Sequence, residues 1–337
     1  MKKHINIPIF IPHVGCPNAC VFCNQRKISG HTRFEKYAVR EELEKAFSTV
    51  DGTLPTQIAY FGGSFTGIDR EDMKDLLAIA NEYIESGKCE SVRISTRPDY
   101  IDREILDILR AYRVKSVELG IQSTDNTVLC ACARGHTAED SFRAAALVKE
   151  YGFELIGQMM VGLPSSTPES ERQTALDICH MGADGARIYP TVVFGETALA
   201  DMTESGHYRP LTEETSVSRA ANALAVFIEN DVPVIRIGLQ SGEALESGDG
   251  VIAGGYHPAV GEKVYSRCFR DRMEAALACM KTAGRSALVR AHPSDISKVI
   301  GQRGENRNYL TERFLLKEIR VVSDGTAVKN HPMISIL

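Results

Sequence analysis

The sequence predicts an α/β fold: a partial (β/α)6 barrel of the TIM type, followed by a small α+β module. Two observations carry that expectation. Short Ile- and Val-rich runs alternate with helical patterns between residues 5 and 190, the rhythm of βαβ units and a parallel sheet. Residues 285–337 then run β-α-loop-α-β on a smaller scale. A chain of 337 residues has room for two or three domains. The divisions read here are a barrel over 1–240, a connecting loop and helix over 241–284, and the module over 285–337.

Residues 5–12 are rich in Ile and Phe and stop at Pro12 and Gly15, so they read as the first strand. This strand delivers Cys16, Cys20 and Cys23, spaced C-x3-C-x2-C, to the C-terminal end of the sheet, where barrel enzymes hold their chemistry. Pro17 stiffens the loop and Gly15 lets it turn. Clustered thiolates suit soft metals and iron–sulfur clusters. Three ligands without a fourth leave one iron of a cubane open, which marks a reactive site rather than a staple. The alternatives are chance clustering and a zinc site, and zinc sites favour paired C-x2-C units.

A helix over 39–49 follows, then a strand over 57–61 that runs into Gly62, Gly63 and Ser64. A glycine pair past a strand either makes a turn or lets backbone approach a ligand. Asp69 caps a helix over 70–86. Further strands are expected over 92–95, 116–123, 154–161 and 185–189, with helices over 102–112, 138–151 and 168–182. A helix over 212–229 and a strand over 232–237 close the barrel region. In the glycine-rich stretch near 241–262, Tyr256 and His257 are candidate acid/base groups or simply exposed loop residues.

The net charge of −5 argues against a wholly basic nucleic-acid coat and leaves a local basic patch open. Nine cysteines with no regular framework fit a reducing compartment. The N-terminus faintly mimics a lipoprotein leader ending at Cys16, but Asn6, Pro8, Pro12 and His13 break its apolar run. A cytoplasmic protein without membrane contact is expected. Cys89, Cys130, Cys132, Cys179, Cys268 and Cys279 mostly sit in helical patterns, as small core residues do.

The cysteine motif, with Phe22 before its last thiol, resembles the radical SAM superfamily. The stretches STRPDY at 95–100, ELGIQS at 118–123, RGHT at 134–137, QMMVGLP at 158–164 and ADGARIYPT at 183–191 are similar to the radical SAM domain of the Elongator catalytic subunit. That family modifies C5 of the wobble uridine in tRNA. The same stretches more distantly resemble oxygen-independent coproporphyrinogen III oxidase. The likeness covers roughly residues 5–240. It implies that Cys16, Cys20 and Cys23 hold a [4Fe–4S] cluster and that S-adenosylmethionine chelates the open iron. An electron from a donor such as flavodoxin or ferredoxin would then release a 5′-deoxyadenosyl radical. It also implies that Phe22, Gly62, Gly63 and Ser64 line the methionine end, that Gln122 meets the ribose and that Arg134 meets the methionine carboxylate. Without the resemblance, Gln122 reads as a satisfied polar strand end and Arg134 as a surface ion pair.

Two departures stand out. Ser95 occupies a strand position where the family pattern has Glu, and a hydroxyl cannot pair with the SAM ammonium as a carboxylate does. The Elongator subunit also carries an acetyltransferase domain, for which this chain leaves no room, so acetyl-CoA is not an expected partner.

In the C-terminal module a strand over 287–290 and a short helix over 295–300 precede Gly301, Gln302, Arg303 and Gly304. A helix over 305–314 and a strand over 319–322 follow. The order β-α-GxxG-α-β resembles a KH core, truncated by one strand, whose loop clamps nucleotide backbone. Arg285, Arg290, Lys298, Arg303, Arg307, Arg313, Lys317 and Arg320 outnumber Asp295, Glu305, Glu312 and Glu318 here. Gly301, Gln302, Arg303, Gly304 and Arg307 are the candidate RNA contacts; the alternative is a plain α/β cap. The expectation is a radical SAM enzyme acting on RNA, tRNA being the leading class. The alternatives are a coproporphyrinogen-oxidase-like enzyme on a small molecule and a SAM-binding RNA adaptor without turnover.

Overall fold

The computed structural model describes residues 5–11, 15–16, 20–24, 35–50, 52–239 and 250–337. Pro12, Pro17 and residues 241–249 of the glycine-rich boundary stretch lie outside the described residues.

Seven parallel strands form one curled sheet in simple sequential order. They are β1 (Ile5–Ile11), β2 (Thr56–Gly62), β3 (Ser91–Thr96), β4 (Val114–Gln122), β5 (Glu154–Val161), β6 (Gly185–Pro190) and, past a short β7 (Val192–Phe194), β8 (Val234–Ile237). The last of these adds a seventh strand to the six βα units read from the sequence, on the β6 edge.

Helices α1 (Val39–Phe47), α2 (Arg70–Glu85), α3 (Arg103–Ala111), α5 (Ala138–Glu150), α6 (Pro168–His180) and α8 (Glu213–Glu229) cover the outer face, while the short α4 (Asn126–Ala131) and α7 (Ala198–Glu204) pack beside Val21 and Phe22 of the cysteine loop. Their first turns explain their starts. Asp69, Asp102, Thr137, Thr167 and Thr212 each accept a backbone N–H as N-cap. Thr137 and Thr167 complete reciprocal capping boxes.

The strands alternate by face. Ile9, Tyr60, Ile94, Val117 and Leu155 share register positions and are buried in the layer beneath the helices. Gln57, Arg93, Glu118 and Arg187 point into the lumen, so the barrel interior is polar where the outer layer is aliphatic.

Above the sheet, β7 pairs antiparallel with β9 (Val251–Gly254) as a two-stranded flap. A long helix, α9 (Val260–Ala278), then leads into the module. The module contains β10 (Ser286–Ala291), α10 (Ile296–Ile300), α11 (Glu305–Arg313), β11 (Glu318–Ser323) and β12 (Met333–Ile336). Its sheet has three strands: β11 runs parallel to β10, and β12 antiparallel on the other side. The truncated reading from sequence is corrected: β12 supplies a third strand. Among the described residues no helix is long and apolar enough to cross a membrane.

Candidate active site

A cavity of about 330 Å³ opens at the C-terminal ends of the strands. Cys16, Cys20, Cys23 and Phe22 form one wall, from the loop after β1. Gly62 and Gly63 come from the end of β2, Ser95 from β3, Gln122 from β4, and Arg134 from the loop after α4. The expected site residues therefore converge on one cavity, with one qualification for Ser64. Its side chain is turned away, sharing a 2.8 Å hydrogen bond with Thr96 Oγ1 and accepting from Arg97 N–H at 3.2 Å. A larger groove of about 660 Å³ lies at the opposite end of the strands, beside residues 52–56 and 87–90, far from the thiols.

The cysteine loop sits where it does because backbones touch. A Cβ on Gly15 would fall 2.3 Å from Ser64 O, and one on Gly67 would fall 2.3 Å from Gly15 O. Gly62 has φ +110, and a Cβ on it would fall 2.9 Å from Ile11 O. These glycines admit the turn that brings Cys16 against the β2 glycine stretch. Downstream, Val21 N–H donates to Cys132 O and Leu199 N–H to Val21 O. Asn24 Nδ2 donates to Gly195 O at 3.0 Å, tying the loop to the flap region.

Arginines dominate the electrostatics of this wall. Arg134 reaches Cys20 Sγ at 3.1 Å with one nitrogen and Gly120 O at 2.6 Å with the other. Gly120 leaves room for it; a Cβ there would fall 3.4 Å from that guanidinium. Arg97, buried and paired with Asp99 at 2.9 Å, holds the Arg134 carbonyl. Burial and the neighbouring Cys20 push the Cys16 thiol up, while Arg97, Arg134 and a Ser64 backbone contact pull it down. Gln122 sits at a bulge in β4 with φ 67, and its buried Oε1 has no hydrogen-bond partner among the described residues. A strained non-glycine backbone and an unpaired acceptor, at a strand end facing a cavity, make Gln122 a candidate ligand position.

Among the described residues no three Cys, His, Asp or Glu side chains already stand at metal-binding distance. The three thiols line one wall rather than close on a point. The donor set nonetheless fits a soft cluster: thiols facing a cavity, guanidinia nearby, and Glu118 as the carboxylate among the lining residues, held in two ion pairs.

The radical SAM superfamily matches residues 10–178, and its C-terminal domain matches residues 183–270. The chain belongs to the radical SAM superfamily. A tRNA uridine(34) acetyltransferase of Methanocaldococcus jannaschii is 30% identical over 181 residues, covering 50% of this chain and 33% of that one. An uncharacterized protein of the same archaeon is 28% identical over 248 residues, 70% of this chain and 74% of that one. Human Elongator complex protein 3 is 28% identical over 289 residues, 70% and 52% respectively. This chain thus spans only about a third of the acetyltransferase and half of the human Elongator protein. The solved archaeal Elp3 of Methanocaldococcus infernus aligns over 82% of this chain and 64% of its own, with TM-score 0.61 and 22% identity, a likeness of fold. As radical SAM enzymes do, this one uses a [4Fe–4S] cluster and S-adenosylmethionine.

Sequence reasoning missed the lumen charges Arg97, Glu118, Arg187 and Arg236, which all line the cavity. The signal was present as charged residues in otherwise aliphatic strands. His257 is used locally: its Nδ1 accepts from Ala259 N–H at 2.9 Å, and it does not line the cavity. Tyr256 packs with Val192 and Phe194 of the flap. Cys132 is fully buried beside Val128 and Leu163, with its thiol pushed up to about 12, as a core residue.

Proposed function

We propose that this radical SAM enzyme modifies RNA, with tRNA as its substrate class. The observation that carries the reading is the exposed cationic loop of the C-terminal module. Gln302, Arg303 and Arg307 are exposed, whereas Gly301, Gly304 and Asn306 are buried and set the loop's shape. Arg290, Lys298, Arg313 and Arg320 have acidic neighbours within 4.0 Å. Arg303 and Arg307 are in no such pair among the described residues, so their charge is available to phosphate. Relatives named for tRNA uridine and Elongator support the same substrate class.

The cluster and S-adenosylmethionine together supply a 5′-deoxyadenosyl radical when an electron arrives. The chain's own residues divide the remaining work. Cys16, Cys20 and Cys23 hold the cluster. Gly62 and Gly63 let backbone approach the methionine end, and Arg134 takes its carboxylate. Gln122 accepts from a ribose hydroxyl through its orphaned Oε1. Phe10, Phe61 and Phe194 wall the cavity and exclude water. A cytoplasmic electron carrier such as flavodoxin or ferredoxin completes the cycle.

Anisotropy titration with bulk tRNA at two salt concentrations tests the reading. Arg303→Gln with Arg307→Gln should weaken binding and flatten its salt dependence, because fewer phosphate counterions are released. Replacing Gly301 is a poor probe, since a Cβ there meets Asn306 N at 2.8 Å and deforms the loop. Equal binding by wild type and variant, or none by either, sinks the RNA reading. A small-molecule substrate would then move ahead, which the aromatic-walled cavity of about 330 Å³ would accommodate. Dithionite-driven release of 5′-deoxyadenosine separates an enzyme from a SAM-binding adaptor.

A further inference from the structure

Arg187 on β6 and Arg236 on β8 are register partners in a parallel ladder, so both side chains enter the lumen side by side. Adjacent like charges on one sheet face are unfavourable. Arg187 is held firmly. One nitrogen meets Glu118 at 2.8 Å, another lies 3.4 Å from the Tyr189 hydroxyl, and the Phe61 ring stacks 5.4 Å from the guanidinium. Its Nε is nonetheless buried without a hydrogen-bond partner among the described residues. Arg236 donates to the carbonyls of Gly238 and Leu239 at 3.1 and 3.0 Å and has no carboxylate partner among the described residues. Glu118 is already shared with Arg93 at 3.0 Å, so it cannot balance Arg236 as well. This wall of the cavity therefore carries surplus positive charge, a spare buried donor and a phenol hydroxyl. The arginines lie at the β8 edge of the sheet, and the cysteines come from the loop after β1 at the other edge.

We propose that Arg187, Arg236 and Tyr189 form an oxyanion subsite that anchors the substrate by a phosphate or carboxylate, presenting its other end to the cysteine side. The subsite deepens the RNA reading and rests on it only for the source of the anion. Two guanidinia and a hydroxyl match the several acceptor oxygens of a phosphate. Burial depresses the Arg236 charge and the Arg187 guanidinium opposes it further, while the Tyr189 hydroxyl favours it; a bound anion would relieve both costs.

The test is calorimetric titration of cluster-loaded, SAM-bound protein with uridine, uridine 5′-monophosphate and glutarate. The monophosphate should bind at least tenfold more tightly than uridine. Arg236→Gln should abolish that difference, Arg236→Lys should keep part of it, and SAM affinity should stay within twofold. If glutarate instead of the nucleotide gives the Arg236-dependent binding, the subsite stands, its anion is a small acid's carboxylate, and the RNA reading falls. The subsite is overturned if neither anion binds wild type, if Arg236→Gln changes nothing, or if that variant loses SAM affinity as strongly as anion affinity.

Discussion

At the level of single residues, Gly67 is held by steric exclusion. Its Cβ would stand 2.3 Å from Gly15 O, so Gly67→Ala must push the cysteine loop off the β2 glycine stretch. Such overpacking typically costs about 1–3 kcal/mol. Iron loading on anaerobic reconstitution should fall well below that of wild type, and unchanged loading with unchanged thermal stability would refute the backbone contact. His136 provides a second test. It is buried beside Arg134 and Arg97, and burial first, then those guanidinia, push its pKa down to about 4. The unfolded chain takes up this proton near pH 6.5, the folded chain only near 4. Stability is therefore lost as pH falls from about 6.5 to about 4, by up to ~3 kcal/mol, and the effect is flat below that window. His136→Leu should remove this part of the slope in urea melts at pH 7 and pH 5; an unaltered slope would sink the assignment.

At the level of elements, the lumen is held by a charge network rather than by aliphatic layers. Arg93 and Glu118 are almost fully buried and 3.0 Å apart, Arg187 joins the same carboxylate oxygen at 2.8 Å, and Gln57 Oε1 accepts from Arg93 at 3.2 and 3.3 Å. Removing one member leaves guanidinia buried without compensation, which costs about 3–5 kcal/mol. Glu118→Gln should lower the urea midpoint by a corresponding amount with an unchanged m-value. A loss below about 1 kcal/mol would mean that water or another group already compensates these charges.

The network also explains what was legible in the sequence. The β5 boundaries, Glu154–Val161, are those its apolar run predicts, because the outward faces of the strands follow a hydrophobic pattern. The lumen charges obey no such pattern; they become neighbours only when strands 25 to 69 residues apart are set in register. The strand β12 was missed because its four residues alternate exposed and half-buried and carry no strong apolar signal. The flap was missed because β7 and β9 are short and far apart in sequence. The cysteine motif and the glycine pair were legible because their chemistry lies in local spacing. The partners of Arg134 were not, because Cys20 is 114 residues away.

At the level of the whole molecule, the division read near residue 285 does not interrupt the core. Helix α9 packs on α8 of the barrel and also against α10, α11 and β12 of the module. One continuous apolar cluster runs from Ile7 in β1 to Val289 in β10 and Ile319 in β11. Asn306 fastens the junction: its buried Nδ2 lies within hydrogen-bond reach of Ser266 O at 2.8 Å, Ser266 Oγ at 2.9 Å and Lys298 O at 3.1 Å. Asn306→Ala strands those acceptors in a buried place and should cost about 1–3 kcal/mol. If barrel and module share one core, that loss spreads to both. Hydrogen exchange followed by mass spectrometry should then show peptides from β4 and from β10 losing the same protection, since both open only in global unfolding. Wild-type protection in β4 with loosening confined to residues 286–337 would show instead that the module opens alone. Under the proposed RNA reading, a shared core would hold the Arg303 loop at a fixed reach from the cavity mouth, so an RNA bound there would be presented at constant geometry rather than at the end of a flexible arm.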